Sequence, residues 1–293
     1  MDYKMKENMS YMQISPPNYS YIMNLEKNFI YWDTVTPMKN HLPYCFVYCA
    51  IYVILVFSGK YYLLDKPKFD LRRWLALWSF MLATFSVLGF LRMGSEMYHI
   101  LSNYGFYYSV CAPNFLTQDS VAAFWTFLFT LSKVVELGDT AFIVLRKQPL
   151  IFLHWYHHIT VLLYTWYSYV ETSATGRWFT TMNLFVHSWM YSYYALKAMK
   201  VSLPKWIAII ITTLQLTQMI VGCLIVFAAY YYIQNNECNV TNYNIKLSML
   251  MYFSYFILFA RFFQQAYLSK KPGNKAKQAY ADETSSNDKV KMN

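Results

Sequence analysis

Charge is scarce in this chain. Only 14% of its 293 residues are Asp, Glu, Lys or Arg, against roughly 25% in soluble globular domains, which excludes an ordinary water-soluble enzyme. Acidic residues are the scarcer sign, 15 against 25 basic, leaving a formal charge of +10. Five cysteines do not make a disulfide scaffold. There is no glycine-rich phosphate loop and no internal repeat. Residues 1–40 are polar and rich in Tyr and Asn, without the compact basic, apolar and small-residue pattern of a cleavable signal peptide.

What is present instead is apolar: 57% of residues are hydrophobic and 20% aromatic. Apolar stretches near the 20 residues needed to cross a bilayer fall at 43–59, 75–91, 121–145, 151–170, 178–198, 206–232 and 247–268. Backbone polar groups in lipid must be satisfied within their own segment, so these predict an all-α membrane protein of seven transmembrane helices. The domain reading is a lumenal segment over 1–42, a catalytic bundle over 43–268 and a disordered cytoplasmic tail over 269–293.

Basic residues set the orientation. Lys60, Lys66, Lys68, Arg72 and Arg73 follow the first span, Arg146 and Lys147 the third, Lys197, Lys200 and Lys205 surround the fifth-to-sixth connection, and Lys270 and Lys271 follow the seventh. These belong in the cytoplasm, placing the N-terminus on the other side. Three N-x-S/T sequons, at Asn8, Asn18 and Asn239, fall on that non-cytoplasmic side, as glycosylation requires. Cys111 and Cys238 are the two cysteines in lumenal loops, and a disulfide between them is the expectation. The end Lys289-Val290-Lys291-Met292-Asn293 resembles a dilysine retrieval signal of the endoplasmic reticulum membrane. Basic residues spread among loops between spans do not suggest nucleic acid.

Ionisable groups at membrane depth are costly and mark functional sites. His154, His157 and His158 lie three and four residues apart, turning about 300° and 40° around a helix and so sharing a face. Lys133, Glu136 and Thr140 follow i, i+3, i+7, with Asp139 beside them, as one inward polar face. Each buried Lys or Asp costs roughly 2.5–3.5 kcal/mol on insertion scales. A structural Lys133–Glu136 pair accounts for these groups about as well as catalysis does. Asn183, His187, Met190, Tyr191 and Tyr194 form a further stripe, with Tyr193 off it, while Gln215 and Gln218 read as interhelical hydrogen bonding.

In order along the chain, Lys133-x-x-Glu136-Leu137-x-Asp139-Thr140, His154-Trp155-Tyr156-His157-His158, Asn183-x-x-x-His187-x-x-Met190-Tyr191-x-Tyr193-Tyr194 and Thr212-x-x-Gln215-x-x-Gln218 resemble the very-long-chain fatty acid elongase family. The resemblance covers roughly 43–268 and is closest to the branch acting on saturated and monounsaturated acyl-CoAs, where Val135 replaces a common proline. It implies condensation of acyl-CoA with malonyl-CoA to 3-ketoacyl-CoA, CO2 and CoA in the endoplasmic reticulum membrane. It further implies no cofactor and no metal, an apolar acyl tunnel, and work beside the reductases and dehydratase of the cycle. A homodimer is compatible with it.

On this reading His157 attacks the acyl thioester and His187 acts as acid/base or alternative carrier. His154, His158 and Asn183 orient groups or stabilise the enolate, and Asp139 and Glu136 fix tautomers. Lys133, Arg146, Lys147, Tyr191, Tyr193, Lys200 and Lys205 meet CoA or the headgroup, while Thr140, Gln215 and Gln218 are structural. Two other classes share features: a membrane di-iron oxidase or desaturase with H-x-x-H-H boxes, and a seven-span receptor or transporter. Six histidines, with His41 and His99 outside the cluster, are few for the first.

Overall fold

The computed structural model describes residues 14–235 and 237–268. Asn8 and the dilysine-like end lie outside these. Contacts divide the chain into two units, Met1–Phe259 and Ala260–Asn293. Eleven α-helices are described: α1 (Asn24–Lys27), α2 (Tyr31–Tyr62), α3 (Arg72–Asn103), α4 (Gly105–Cys111), α5 (Asn114–Thr117), α6 (Ser120–Val135), α7 (Gly138–Leu145), α8 (Phe152–Val170), α9 (Gly176–Ala198), α10 (Lys205–Asn235) and α11 (Asn242–Phe263). Among the described residues there is no strand.

By length and composition four segments are fit to cross a membrane: α2, α3, α10, and α11 with the π-helical turn through Leu268. The other three expected spans fall outside this group for two reasons, length and polarity. Stretch 121–145 is divided at residues 136–137 into α6 and α7, while α8 and α9 carry the histidines and their polar neighbours. The outer helices are instead apolar on the side away from the bundle, with Phe46, Ile54, Leu224, Phe227, Leu250 and Phe253 all exposed, as lipid contact requires.

Two boundaries move relative to the hydropathy reading. Helix α2 begins at Tyr31, not near 43, and carries Pro37 and Pro43 within its first half. Helix α3 does not stop near 91 but continues through Arg92, Glu96 and His99 to Asn103. Its polar final turns are stabilised by partners remote in sequence. Arg177 gives its guanidinium to both Glu96 oxygens (3.0 and 2.9 Å), to the Tyr108 and Ser109 carbonyls (3.1 and 2.8 Å) and to Asn114 Oδ1 (2.5 Å), and lies 4.8 Å from the Phe115 ring. Arg92 meets Glu26 at 3.1 Å, and Trp125 Nε1 donates to the same carboxylate at 2.7 Å.

The segment before α2 therefore packs on this end of the bundle. Tyr19 donates to Asp119 Oδ2 (2.7 Å), and Asp119 caps α6 by accepting from the Val121 and Ala122 amides (2.9 and 3.1 Å). Burial, before any charge effect, pushes both the Tyr19 phenol and the Asp119 carboxyl above their ordinary pKa values. Cys111 and Cys238 are joined by a disulfide at this end. The backbone beside it continues the tie, Asn239 N donating to the Cys111 carbonyl (3.1 Å) and Ala174 N to the Asn239 carbonyl (3.0 Å). Asn18 is exposed and Asn239 half-buried.

The apolar interior has two main parts. One gathers Met93, Phe115, Trp125, Phe129, Leu162 and Leu184 between α3, α6, α8 and α9. The second gathers Tyr164, Phe179, Met219, Tyr252 and Tyr255 between α8, α9, α10 and α11. Helix α8 belongs to both, so its histidine face is held between them.

Candidate active site

The break between α6 and α7 builds the polar centre. After Glu136 the bonds tighten to an i to i+3 pattern, with Leu137 N on Val134 O (3.3 Å), Asp139 N on Glu136 O (3.1 Å) and Thr140 N on Leu137 O (3.3 Å). Glycine is required just there, because a Cβ on Gly138 would stand 2.8 Å from Trp78 Cζ2. Trp78 approaches in order to donate Nε1 to Asp139 Oδ1 at 2.6 Å, and Tyr191 donates to Oδ2 at 2.7 Å. Both oxygens of Asp139 are thus committed to α3 and α9.

On the other side of the break Lys133 and Glu136 are buried, 1% and 3% exposed. Their Nζ and Oε1 are 2.7 Å apart, Ser132 Oγ donates to the same oxygen at 3.0 Å, and the ammonium lies 4.2 Å from the Phe129 ring. Lys133 also donates to Asn183 Oδ1 at 3.0 Å. An ammonium can only donate, so this contact fixes which way the Asn183 amide faces. Its Nδ2 is then the group 3.2 Å from His187 Nε2, which must accept. The His187 proton is left on Nδ1, 3.9 Å from Glu136 Oε2. Lys133, acting through Asn183, therefore selects one tautomer of His187, and Glu136 Oε2 lies near the protonated nitrogen without a hydrogen bond to it.

The three histidines of α8 have different partners. His154 Nε2 lies 2.9 Å from Thr140 Oγ1, which is 2.7 Å from the Tyr52 hydroxyl. His158 packs against His154 with ring centroids 4.4 Å apart, and its buried Nδ1 makes no hydrogen bond; Glu136 Oε2 is the other such atom among the described residues. The His157 ring stands 5.6 Å from that of His158 and 4.9 Å from that of Tyr255. No side chain among the described residues engages its nitrogens.

His157 and Asn183 open onto a narrow internal slot with a void of about 50 Å3. Phe129, Tyr164 and Phe179 line its length, and Phe115 and Gly176 line it as well. His157 and Ser168, both on the wall, are eleven residues apart on α8, about 17 Å at 1.5 Å per residue.

Several residues stand where the spacing alone did not put them. Asp139 touches no histidine; Glu136 and Thr140 are the groups beside imidazoles. Tyr191 is 2% exposed and holds Asp139, so its hydroxyl is a support rather than a headgroup contact. Lys133 is enclosed with Glu136 and Asn183, not at a mouth. Lys147 is exposed and donates to the Leu64 carbonyl at 2.8 Å. Lys200 and Lys205 are exposed, Arg146 is half-buried, and Tyr193 lies 5.8 Å from the Lys197 ammonium. Gln215 links α10 to Met190 Sδ at 3.3 Å, while Gln218 is on the slot wall. Spacing does not pick out Trp78, Tyr52 or Tyr255; each is an aromatic in an apolar stretch of its own helix, and its polar atom finds a partner on another helix. No group of three or more histidines, cysteines or carboxylates among the described residues is arranged to hold a metal.

The motif segments of this site all fall inside residues 37–275, the range matched by the family described as ELO: GNS1/SUR4. The chain belongs to that family. Very long chain fatty acid elongase 6 of Drosophila melanogaster is 52% identical over 256 residues, covering 86% of this chain and 81% of the relative. The human protein of the same name is 46% identical over 245 residues, with 84% and 92% covered. Very long chain fatty acid elongase 3 of Mus musculus is 47% identical over 226 residues, with 77% and 83% covered. In this member of the family the histidine cluster, the α6–α7 break and the Asn183 contacts form one connected polar centre.

Proposed function

We propose that this polar centre condenses acyl-CoA with malonyl-CoA, and that His157 carries the acyl group between the two half-reactions. The chain is an acyltransferase of the condensing step of fatty acid elongation, a 3-oxoacyl-CoA synthase. Its acyl substrates are saturated and monounsaturated, by likeness to elongases 6 and 3. The single observation that carries the assignment of His157 is its unengaged ring, beside a His187 whose Nε2 is already taken by Asn183.

In the first half-reaction an imidazole nitrogen of His157 attacks the thioester carbonyl. The carbon–sulfur bond breaks, CoA leaves as its thiol, and an acyl-imidazole remains. Surrounding hydrocarbon protects it from water. In the second, malonyl-CoA loses CO2 and the resulting enolate carbon attacks the acyl carbonyl. A carbon–carbon bond forms, the imidazole is released, and 3-ketoacyl-CoA departs. His187, polarised toward Glu136, moves protons, and the Lys133–Asn183 pair faces the developing enolate charge.

The acyl tail would enter the slot that runs from His157 past Tyr164 and Phe179, which must widen to admit it. Arg146, Lys147, Lys200 and Lys205, at the ends of α7 and α9 and the start of α10, supply positive charge for CoA phosphates. With α6–α7, α8 and α9 counted beside the four longer helices, the chain would cross the endoplasmic reticulum membrane seven times, N-terminus lumenal and C-terminus cytoplasmic. The reductases and dehydratase of the cycle would take the product onward.

Microsomes containing the protein, given labelled malonyl-CoA and a panel of acyl-CoAs of graded length and saturation, test the reading. Labelled 3-ketoacyl product is the expected result, and it disappears in His157→Ala. Full activity of His157→Ala would refute the assigned chemistry.

A further inference from the structure

A second and roomier cavity among the described residues lies apart from the slot beside His157. An apolar groove of about 450 Å3 runs between α2 and the α6–α7 break, lined on one side by Tyr48, Tyr52, Leu55 and Gly59 and on the other by Leu137 and Ala141. It shares no lining residue with the slot. Its volume lies in the range of small-molecule sites. Apart from Tyr48 and Tyr52 the wall is aliphatic or glycine, and the Tyr52 hydroxyl is committed to Thr140, so the surface offered is mostly hydrocarbon.

Dimensions and charge select the occupant. Tyr48 and Leu63, both on the wall, are fifteen residues apart, about 22 Å along a helix. That is the reach of roughly 18 carbon–carbon bonds of an extended chain, each about 1.5 Å long and advancing about 1.25 Å. The groove ends where α2 does, beside a connection with Lys60, Lys66, Lys68, Arg72 and Arg73 against Asp65 and Asp70. Lys60 directly follows Gly59 and is exposed, and the Lys66 ammonium is held 5.8 Å from the Tyr62 ring, one residue before Leu63. A cavity with a hydrocarbon trough and a cationic end fits an amphiphile whose head is a phosphate.

We infer that this groove binds one acyl chain of an anionic membrane phospholipid, its phosphate held at Lys60 and Lys66. The site is separate from the proposed condensation chamber and does not need that reading to be right.

Full-length protein is incorporated in phosphatidylcholine vesicles containing a phosphatidylserine probe with a diazirine in its acyl chain, and adducts are mapped by peptide mass spectrometry after illumination. Adducts are expected on residues 48–63 and 134–145, with severalfold less labelling from the matching phosphatidylcholine probe. Ala141→Phe, which fills the groove from an exposed position, should lower the labelling severalfold. Lys60→Glu with Lys66→Glu should abolish the preference for serine over choline lipid. Excess unlabelled phosphatidylserine should displace the probe from the unaltered chain, a result independent of any variant's folding. Equal labelling by the two probes, insensitive to competition, would mean ordinary boundary lipid and overturn the inference. So would displacement by acyl-CoA but not by phosphatidylserine, which would assign the groove to substrate. His157→Ala should label like the unaltered chain, so a failure of the proposed chemistry leaves this result unaffected.

Discussion

Two buried ionic clusters, one at the start of the α9 helix and one at its middle, are built from similar parts and differ in how completely they are satisfied. Around Arg177, near the start of α9, every guanidinium nitrogen has a partner and both Glu96 oxygens receive Nε. Around Lys133 and His187, further along the same helix, Glu136 Oε2 and His158 Nδ1 are left without hydrogen bonds and His157 is unengaged. Buried polar groups in folded proteins are normally paired. The first cluster is thus a clamp that holds α3, α4 and α9 together, and the second keeps capacity in reserve for reacting groups.

The sharpest way to break this contrast is to remove one member from each cluster. His157→Ala should reduce condensation to background with the thermal unfolding midpoint little changed, since the ring faces the slot and makes no side-chain hydrogen bond among the described residues. Arg177→Ala should do the reverse, destabilising the fold by about 3–5 kcal/mol because it strands the Glu96 charge. Arg177→Met combined with Glu96→Met should recover much of that loss in denaturation experiments, as replacement of a buried pair by apolar groups often does. A clamp that tolerated Arg177→Ala, or a His157→Ala protein that unfolded, would reverse the assignment of the two clusters.

Smaller effects sharpen it. Asn183→Leu frees His187 from its selected tautomer and should slow condensation about 100-fold, the order expected for a misplaced catalytic group, with single-turnover rates as the readout. Tyr52→Phe removes one hydrogen bond to Thr140 and should lower stability by only about 1 kcal/mol, measurable by thermal unfolding in detergent.

Much of the candidate site is legible in the sequence because its pieces are local. The i, i+3, i+4 spacing of His154, His157 and His158 fixes their face whatever surrounds them, and the Lys133 to Glu136 pairing is a one-turn contact. The clamp was not legible. Arg177 and Glu96 are 81 residues apart, and each reads singly as a polar residue of a lumenal connection; only the tertiary packing of α3 on α9 brings them together. The α6–α7 break was hidden for a different reason. Stretch 121–145 reads as one helix because its polar residues keep helical spacing, and the place of its interruption is marked by Trp78 pressing on Gly138, a contact supplied by another helix. Asp139 differs from the expectation on the same ground: spacing places it beside the polar face, whereas Trp78 and Tyr191 take both its oxygens.

The central claim is that His157 holds the acyl group before malonyl-CoA arrives. Purified protein incubated with labelled acyl-CoA alone, quenched and examined for released CoA and for an acyl adduct by peptide mass spectrometry, tests this directly. Release of about one CoA per active site is expected, with the label on the peptide containing His157 and neither event in His157→Ala. Condensation at full rate with no CoA released until malonyl-CoA is added would contradict it.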